Sequence, residues 1–191
     1  MKISEIGDRI RFWKSADRIG PDIPWTHWRL HFKSSMRNLC VGKFKYFAQS
    51  AEFRPGAYAI CCSKISLGSR VIIRPGTVLH ADAREGGAGI TIEDDTMLGP
   101  GVQIYVSNHR YDDPGSPIID QGHYQSQPVV LRKGCWIGAN AVILPGVTVG
   151  ENSVVGAGSV VTRSIPDKVL AAGNPARVIR TIGDSDSAAN S

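Results

Sequence analysis

Residues 131–161, LRKGCWIGANAVILPGVTVGENSVVGAGSVV, repeat one pattern every six positions. An aliphatic residue opens each unit, a small or branched residue stands four places later, and glycine often follows the opening residue directly. The same six-residue pattern recurs toward the N-terminus in two separate runs, one through Cys61, Leu67, Ile73 and Leu79 and one through Ile92, Leu98 and Ile104. A period of six matches neither an α-helix nor a long strand. It matches short strands joined by tight corners, where glycine relieves crowding or permits a positive φ.

Three such units complete one turn of a triangular coil, and successive turns stack at the strand-pairing distance of roughly 4.8 Å. Stacking buries the opening residues as ladders in one continuous core. Four prolines inside the repeat would each interrupt a helix, namely Pro75, Pro100, Pro145 and Pro166. The repeat therefore predicts an all-β chain that forms a parallel β-helix.

The 191 residues divide into three zones. We predict an irregular or helical N-terminal cap over 1–55 and the β-helix over 56–166, with a loop at about 110–127 where the repeat stops. Residues 167–191 form a C-terminal segment whose polar last residues are expected to be disordered.

Composition and charge indicate the type of partner and the cellular compartment. The net charge of +5 favours anionic partners. The first residues lack the apolar core of a signal peptide, and no apolar run approaches the roughly 18 residues of a membrane span. Four cysteines without CxxC spacing indicate free thiols in a reducing compartment. We therefore expect a cytoplasmic protein.

Two stretches, ITIEDDTMLGPGVQIYVSNHRYDDP and KGCWIGANAVILPGVTVGENSVVGAGSVVTRSIPDKVLAAGNPARVIR, carry a family resemblance. Over about residues 60–180 the chain resembles the hexapeptide-repeat acyltransferases, in the branch of maltose, galactoside and cell-surface polysaccharide O-acetyltransferases. The resemblance implies a left-handed coil, which periodicity alone does not give, since parallel crossovers are generally right-handed. It also implies acetyl-CoA as donor, a homotrimer and no metal. The implied acceptor is a sugar hydroxyl in an O-antigen, capsule or exopolysaccharide precursor.

The repeat breaks twice, first at residues 84–89 and again directly after His109. His109 therefore lies at the base of the long loop. A neutral imidazole can take the proton of an attacking hydroxyl and contribute about 10²- to 10⁴-fold in rate. The matching histidine of the family has this role, whereas spacing alone also allows a solvated corner residue. The group that orients it stays open among Asp112, Asp113, Asp120 and a backbone carbonyl.

Other site residues follow from the resemblance. It assigns acceptor contacts to Asn108 and Trp136, and more loosely to Asp82, beside the first break at residues 84–89. Ala139 and Ala157, one coil apart, match corners that contact the pantetheine arm of coenzyme A. Guanidinium groups bind phosphate oxygens well, and the residues matched to the phosphates are Thr162, Arg163, Arg177 and Arg180. The alternatives are a packing tryptophan, a turn aspartate and solvated arginines.

The N-terminal zone predicts a helix from Pro24 to about Leu39. On such a helix Trp28, Phe32, Met36 and Leu39 share one face, and Arg29, Lys33 and Arg37 form a basic stripe. The helix would cap the first coil, contact an anionic membrane surface peripherally through residues 24–39, or do both.

Three other functions remain open. A zinc hydratase of the γ-carbonic-anhydrase type would use three histidines, for which His80, His109 and His123 are the candidates, but the 14-residue gap from His109 to His123 does not match that family. A catalytically silent scaffold and an acetyltransferase for a small non-carbohydrate acceptor are the others.

Overall fold

The computed structural model describes residues 3–183, so the predicted disorder of the last residues falls outside the described part of the chain. The helices are α1 (Ile3–Ser15), α2 (Pro24–Arg29) and α3 (Lys33–Lys43), with 3₁₀ turns at Cys62–Lys64 and Ile118–Asp120. The strands, in chain order, are β1 (Arg18–Ile19), β2 (Tyr46–Phe47), β3 (Glu52–Phe53), β4 (Tyr58–Ile60), β5 (Ile65–Leu67), β6 (Ile72–Ile73), β7 (Val78–His80), β8 (Ile90–Ile92), β9 (Met97–Leu98), β10 (Gln103–Tyr105), β11 (Val129–Leu131), β12 (Trp136–Ile137), β13 (Val142–Ile143), β14 (Thr148–Val149), β15 (Val154–Val155), β16 (Val160–Val161), β17 (Val169–Gly173) and β18 (Ala176–Thr181).

The strands form three sheets that are the faces of a triangular coil. Face I contains β1, β4, β7, β10, β13 and β16, face II contains β2, β5, β8, β11 and β14, and face III contains β3, β6, β9, β12, β15, β17 and β18. Neighbouring coils pair in parallel, and Trp136 lies opposite Val154, 18 residues later. The predicted left-handed parallel β-helix is confirmed. The coil begins at Tyr46, before the predicted boundary at residue 56, and β17 continues face III beyond residue 166.

The core is the predicted ladder of opening residues. All of them are buried, from Cys61 to Val161, and each fully buried aliphatic side chain contributes roughly 1.5–3 kcal/mol. The buried Ser153 hydroxyl bonds to the backbone, its Oγ donating to the Pro166 carbonyl at 2.6 Å.

The glycines that follow the opening residues lie where successive corners touch. A Cβ added to Gly138 would stand 2.4 Å from the Ala157 amide nitrogen, one coil away. Here glycine is required by close approach of two backbones rather than by a positive φ.

The predicted helix from Pro24 to Leu39 is wrong, because the chain breaks between α2 and α3 at residues 30–32. Leu30 and Leu39 are both buried at 5% exposure. In one straight helix, nine residues place two side chains on opposite faces at 3.6 residues per turn. The break allows both leucines to face the coil.

The predicted common apolar face is wrong for the same reason, and the break also separates Arg29 from Lys33 and Arg37 of the predicted basic stripe. Trp28 and Phe32 are exposed, whereas Met36 and Leu39 are buried in the core that includes the first coil. The packing of α3 against β2 and β3 favours the capping interpretation. Within residues 3–183, no helix is both long and apolar enough to cross a bilayer.

Candidate active site

Both breaks of the repeat open on the same edge of the coil. The first break follows β7 and the second follows β10, and these strands are neighbours on face I. Each break leads into a strand of face II, β8 or β11. The two breaks therefore share the I/II corner, which also carries Asp82, Asn108 and His109.

The long loop is closed at its base like a hairpin. The Arg110 amide donates to the Gly122 carbonyl and the Tyr124 amide donates to the Asn108 carbonyl, both at 3.0 Å. This pairing sets His109 opposite His123, with ring centroids 4.1 Å apart. Both histidines are exposed, so an acceptor hydroxyl can approach the His109 imidazole from solvent.

Two of the acidic residues considered for orienting His109 are engaged elsewhere in the loop. The Asp112 carboxylate accepts from the Tyr124 hydroxyl and from Arg110. The Asp113 carboxylate accepts from Ser116 and from the Gly115 amide, which lowers its pKa. The direct ring neighbour of His109 is His123.

Asp82 is buried at 7% exposure and forms an ion pair with Arg84. The Arg84 guanidinium donates to both carboxylate oxygens at 2.7–3.0 Å. These hydrogen bonds hold the pKa of Asp82 far below its ordinary value, against the opposing effect of burial. The predicted acceptor contact of Asp82 therefore competes with an intramolecular partner.

A small depression of about 280 Å³ lies beside the loop on the same corner. Asn108 and Thr162, both predicted site residues, line it together with Tyr124. Arg163 follows Thr162 after the face I strand β16 and is exposed.

The predicted pantetheine contacts lie on a different edge, the III/I corner. Ala139 and Ala157 stack there on successive coils, and the Gly158 amide donates to the Ala139 carbonyl at 2.8 Å. A largely apolar groove of about 450 Å³ runs from this corner along face III, lined in part by Ala139, Trp136 and Met97.

The predicted phosphate-binding arginines of the C-terminal segment lie on β18, at the end of face III. Arg177 pairs with Ala172, and an added Cβ on Gly156 would touch the Ala172 Cβ, so Arg177 is near the Ala157 corner. Arg180 pairs with Leu170, farther along the strand.

A single chain thus separates the predicted site into two groups. His109, Asn108, Thr162 and Arg163 lie on the I/II corner, whereas Ala139, Ala157 and Arg177 lie at the III/I corner. One face of six residues at 3.3 Å per residue spans roughly 20 Å at most. The two groups of predicted site residues therefore lie about one face apart on a single chain.

The zinc alternative finds little support in the side-chain geometry. Among the described residues, no three His, Cys, Asp or Glu side chains converge as metal ligands would. His80 packs against Tyr105, with ring centroids 5.9 Å apart, and its pKa is lowered by burial and by nearby Arg18.

The sequence interpretation missed three residues that organise the I/II corner, namely Arg84, Tyr124 and Ser126. Arg84 donates to the Tyr124 carbonyl at 3.1 Å, and Ser126 accepts from the Ala88 amide at 2.9 Å. The sequence does indicate that the two breaks meet at one corner, because both follow opening residues of the same face, but it does not indicate which side chains make contact there.

Comparison with known proteins shows what the repeat and the whole coil resemble. Residues 128–163 match the family model for the bacterial transferase hexapeptide, six repeats. That segment therefore contains hexapeptide repeats. It is 44% identical over 97 residues to galactoside O-acetyltransferase of Escherichia coli, a match that covers 51% of this chain and 46% of that relative. The chain thus spans about half the length of this curated relative.

Two solved structures extend the resemblance over most of the coil. A galactoside acetyltransferase in complex with coenzyme A superposes with a TM-score of 0.73 and 29% identity, over 96% of this chain and 85% of that one. A hexapeptide-repeat acetyltransferase of Vibrio cholerae O1 biovar eltor, complexed with acetyl coenzyme A, gives a TM-score of 0.70 and 27% identity, over 86% and 91%. The predicted resemblance to acetyltransferases of this type is confirmed.

Proposed function

We propose that this protein transfers an acetyl group from acetyl-CoA to a sugar hydroxyl, with His109 as the general base. The observation that carries the proposal is the exposed His109 at the base of the loop, on a coil that resembles a coenzyme-A-bound galactoside acetyltransferase. The test is release of the coenzyme A thiol from acetyl-CoA with a galactoside or maltose as acceptor. Failure of every sugar offered to stimulate release above hydrolysis would oppose the proposal.

In this mechanism the His109 imidazole takes the hydroxyl proton as the sugar oxygen attacks the thioester carbonyl. The tetrahedral intermediate then loses the sulfur, and the imidazolium returns the proton to it. The products are an O-acetyl sugar and the coenzyme A thiol. Asn108, Asp82 and Trp136 would contact the acceptor.

The III/I corner suits the extended pantetheine arm. Small side chains at Ala139 and Ala157 leave backbone groups accessible, and the adjoining groove is mostly apolar, as small-molecule sites generally are. Arg177 near this corner and Arg180 farther along β18, with Thr162 and Arg163 on the other corner, would bind the phosphates.

We further propose a homotrimer, because the two halves of the site lie on different corners of one chain. A closed three-fold arrangement can bring the I/II corner of one subunit against the III/I corner of the next. Mixing two inactive variants tests this directly. His109→Ala and Ala157→Trp subunits, refolded together, should recover roughly a quarter of the sites if each site uses two subunits in a cyclic ring. No recovery from a mixed trimer would place the whole site within one subunit.

The setting we propose is the cytoplasm, in the synthesis of a cell-surface polysaccharide such as O-antigen, capsule or exopolysaccharide. The four free thiols are consistent with a reducing compartment. Burial raises the pKa of both Cys40 and Cys135 to about 12, so these thiols are unreactive. Mass spectrometry of surface glycans from cells with and without the protein would identify the acetylated sugar.

We also propose peripheral contact with the inner face of the membrane through residues 24–39. Trp25 and Trp28 are 67% and 68% exposed, and the sequence has no acidic residue from Ile23 to Ala51. Exposed tryptophans beside basic residues suit an anionic bilayer surface. Sedimentation with vesicles of phosphatidylcholine and phosphatidylglycerol should be reduced by Trp25→Ala/Trp28→Ala. Unchanged sedimentation would contradict the contact.

A further inference from the structure

The guanidinium of Arg84 joins the two breaks of the repeat. The Arg84 Nε and Nη2 atoms together contact both oxygens of the buried Asp82 carboxylate. The same Nη2 also donates to the Tyr124 carbonyl at 3.1 Å. Arg84 belongs to the short break and Tyr124 to the long loop, so a single guanidinium bridges the two segments.

Further contacts hold the short break rigidly beneath the loop. The Lys64 ammonium, one coil earlier, donates to the backbone carbonyls of Asp82 and Arg84 at 2.7 and 2.6 Å. A Cβ added to Gly87 would stand 2.7 Å from the Asp82 Cγ, so the break wraps closely around this carboxylate. On the other side, the Ala88 amide donates to Ser126.

Few contacts separate Arg84 from His109, the proposed general base. Tyr124, whose carbonyl Arg84 holds, donates its own amide proton to the Asn108 carbonyl. His123 immediately precedes Tyr124, and its ring packs on that of His109. A displacement of Tyr124 would therefore move both neighbours of the His109 ring, the Asn108 backbone and the His123 side chain.

We propose that Arg84 is a positioning residue for His109, acting through the Tyr124 carbonyl and itself oriented by Asp82. The proposal rests on the proposed function only in naming His109 as the general base. The contacts that Arg84 makes with Asp82 and Tyr124, which we call the clamp, do not depend on that function. In this proposal the short break has a function, because it supplies the Arg84 guanidinium from the neighbouring coil.

Arginine suits this place better than lysine. A planar guanidinium can bind both carboxylate oxygens and still offer a proton to a third acceptor in a fixed direction, whereas an ammonium is a compact point charge. Arg84→Lys should therefore fail to restore the clamp, although it keeps the charge.

Amide hydrogen exchange of the intact protein tests the clamp without any substrate. In Arg84→Ala and Arg84→Lys, the amides of Tyr124 and Arg110 should exchange at least tenfold faster, while those of β12 to β16 keep the wild-type rate. The matched control is Arg54→Ala, which removes an arginine that also donates twice to one carboxylate, Glu52, on the first coil. It should leave Tyr124 and Arg110 unchanged.

Steady-state kinetics then test positioning. Both Arg84 variants should lower kcat by about tenfold to 10²-fold, as small misplacements of a catalytic group do, with little change in KM for acetyl-CoA. Unchanged loop exchange in Arg84→Ala would overturn the clamp, and faster exchange with an unchanged kcat would overturn the positioning role. A wild-type protein that transfers no acetyl group would refute the proposed function, and the exchange data would still decide the clamp.

Discussion

The imidazole rings of His109 and His123 face each other across the base of the long loop, with centroids 4.1 Å apart and planes inclined by 34°. The antiparallel bridge between their backbones fixes this contact. In sequence the two residues are separated by 14 positions and a run of loop residues. Their contact makes His123 the immediate support of the proposed base.

This contact predicts different effects for two replacements of His123. His123→Phe keeps an aromatic ring against His109 and should retain most of kcat. His123→Ala removes the ring and should lower kcat several-fold, by less than the 10²-fold or more expected for loss of a general base. Initial rates at saturating acetyl-CoA measure both. A loss in His123→Phe as large as that of His109→Ala would give His123 a chemical role of its own.

Arg177→Ala should raise KM for acetyl-CoA and leave kcat nearly unchanged, because a phosphate contact far from the thioester contributes equally to ground and transition states. Arg132→Ala, an exposed arginine that follows β11 on face II, is the control and should change neither constant. The measurement is a titration of acetyl-CoA at low salt. A wild-type KM in Arg177→Ala would remove this arginine from the cofactor site.

Gly138→Ala tests the close contact between successive corners. The added Cβ would crowd the Ala157 amide nitrogen at 2.4 Å, so the free energy of unfolding should fall by about 1–3 kcal/mol. Gly42→Ala in α3 is the control, because a Cβ there meets nothing within 4 Å and alanine favours a helix by about 1 kcal/mol. Urea unfolding at one fixed protein concentration compares them. Equal stability of the two variants would contradict the packing of the corners.

The Asp82–Arg84 pair predicts a pH dependence of stability. The folded-state pKa of Asp82 is depressed, chiefly by its hydrogen bonds from Arg84. Its contribution is therefore full above the unfolded pKa of about 3.9 and is lost as pH falls toward the folded value. Asp82→Asn should be less stable than wild type at pH 7, and the difference should shrink below about pH 4. A difference that stays constant from pH 7 to pH 3 would show that the carboxylate charge does not matter.

The sequence predicted the coil well because its signal is repetitive. Leu131, Ile137 and Ile143 each occupy the same kind of position, and each is fully buried. One-residue errors in such a pattern would misplace every later strand, so the register is strongly determined.

The N-terminal zone and the clamp could not be predicted in the same way. Nothing local distinguishes one helix over residues 24–39 from two, because the break depends on burying Leu30 and Leu39 against a coil that is distant in sequence. Likewise Arg84 resembles a solvated loop residue until the neighbouring coil brings Tyr124 beside it.

The most direct measurement is kcat for acetyl transfer by His109→Ala, with acetyl-CoA and the best sugar acceptor found for the wild type. The His109 side chain is exposed on a corner, so the variant should keep its oligomeric state and its affinity for acetyl-CoA. Its kcat should fall by about 10²-fold or more, because general-base assistance acts in the transition state. A kcat within a few-fold of wild type, in a variant that folds and binds acetyl-CoA normally, would contradict the mechanism.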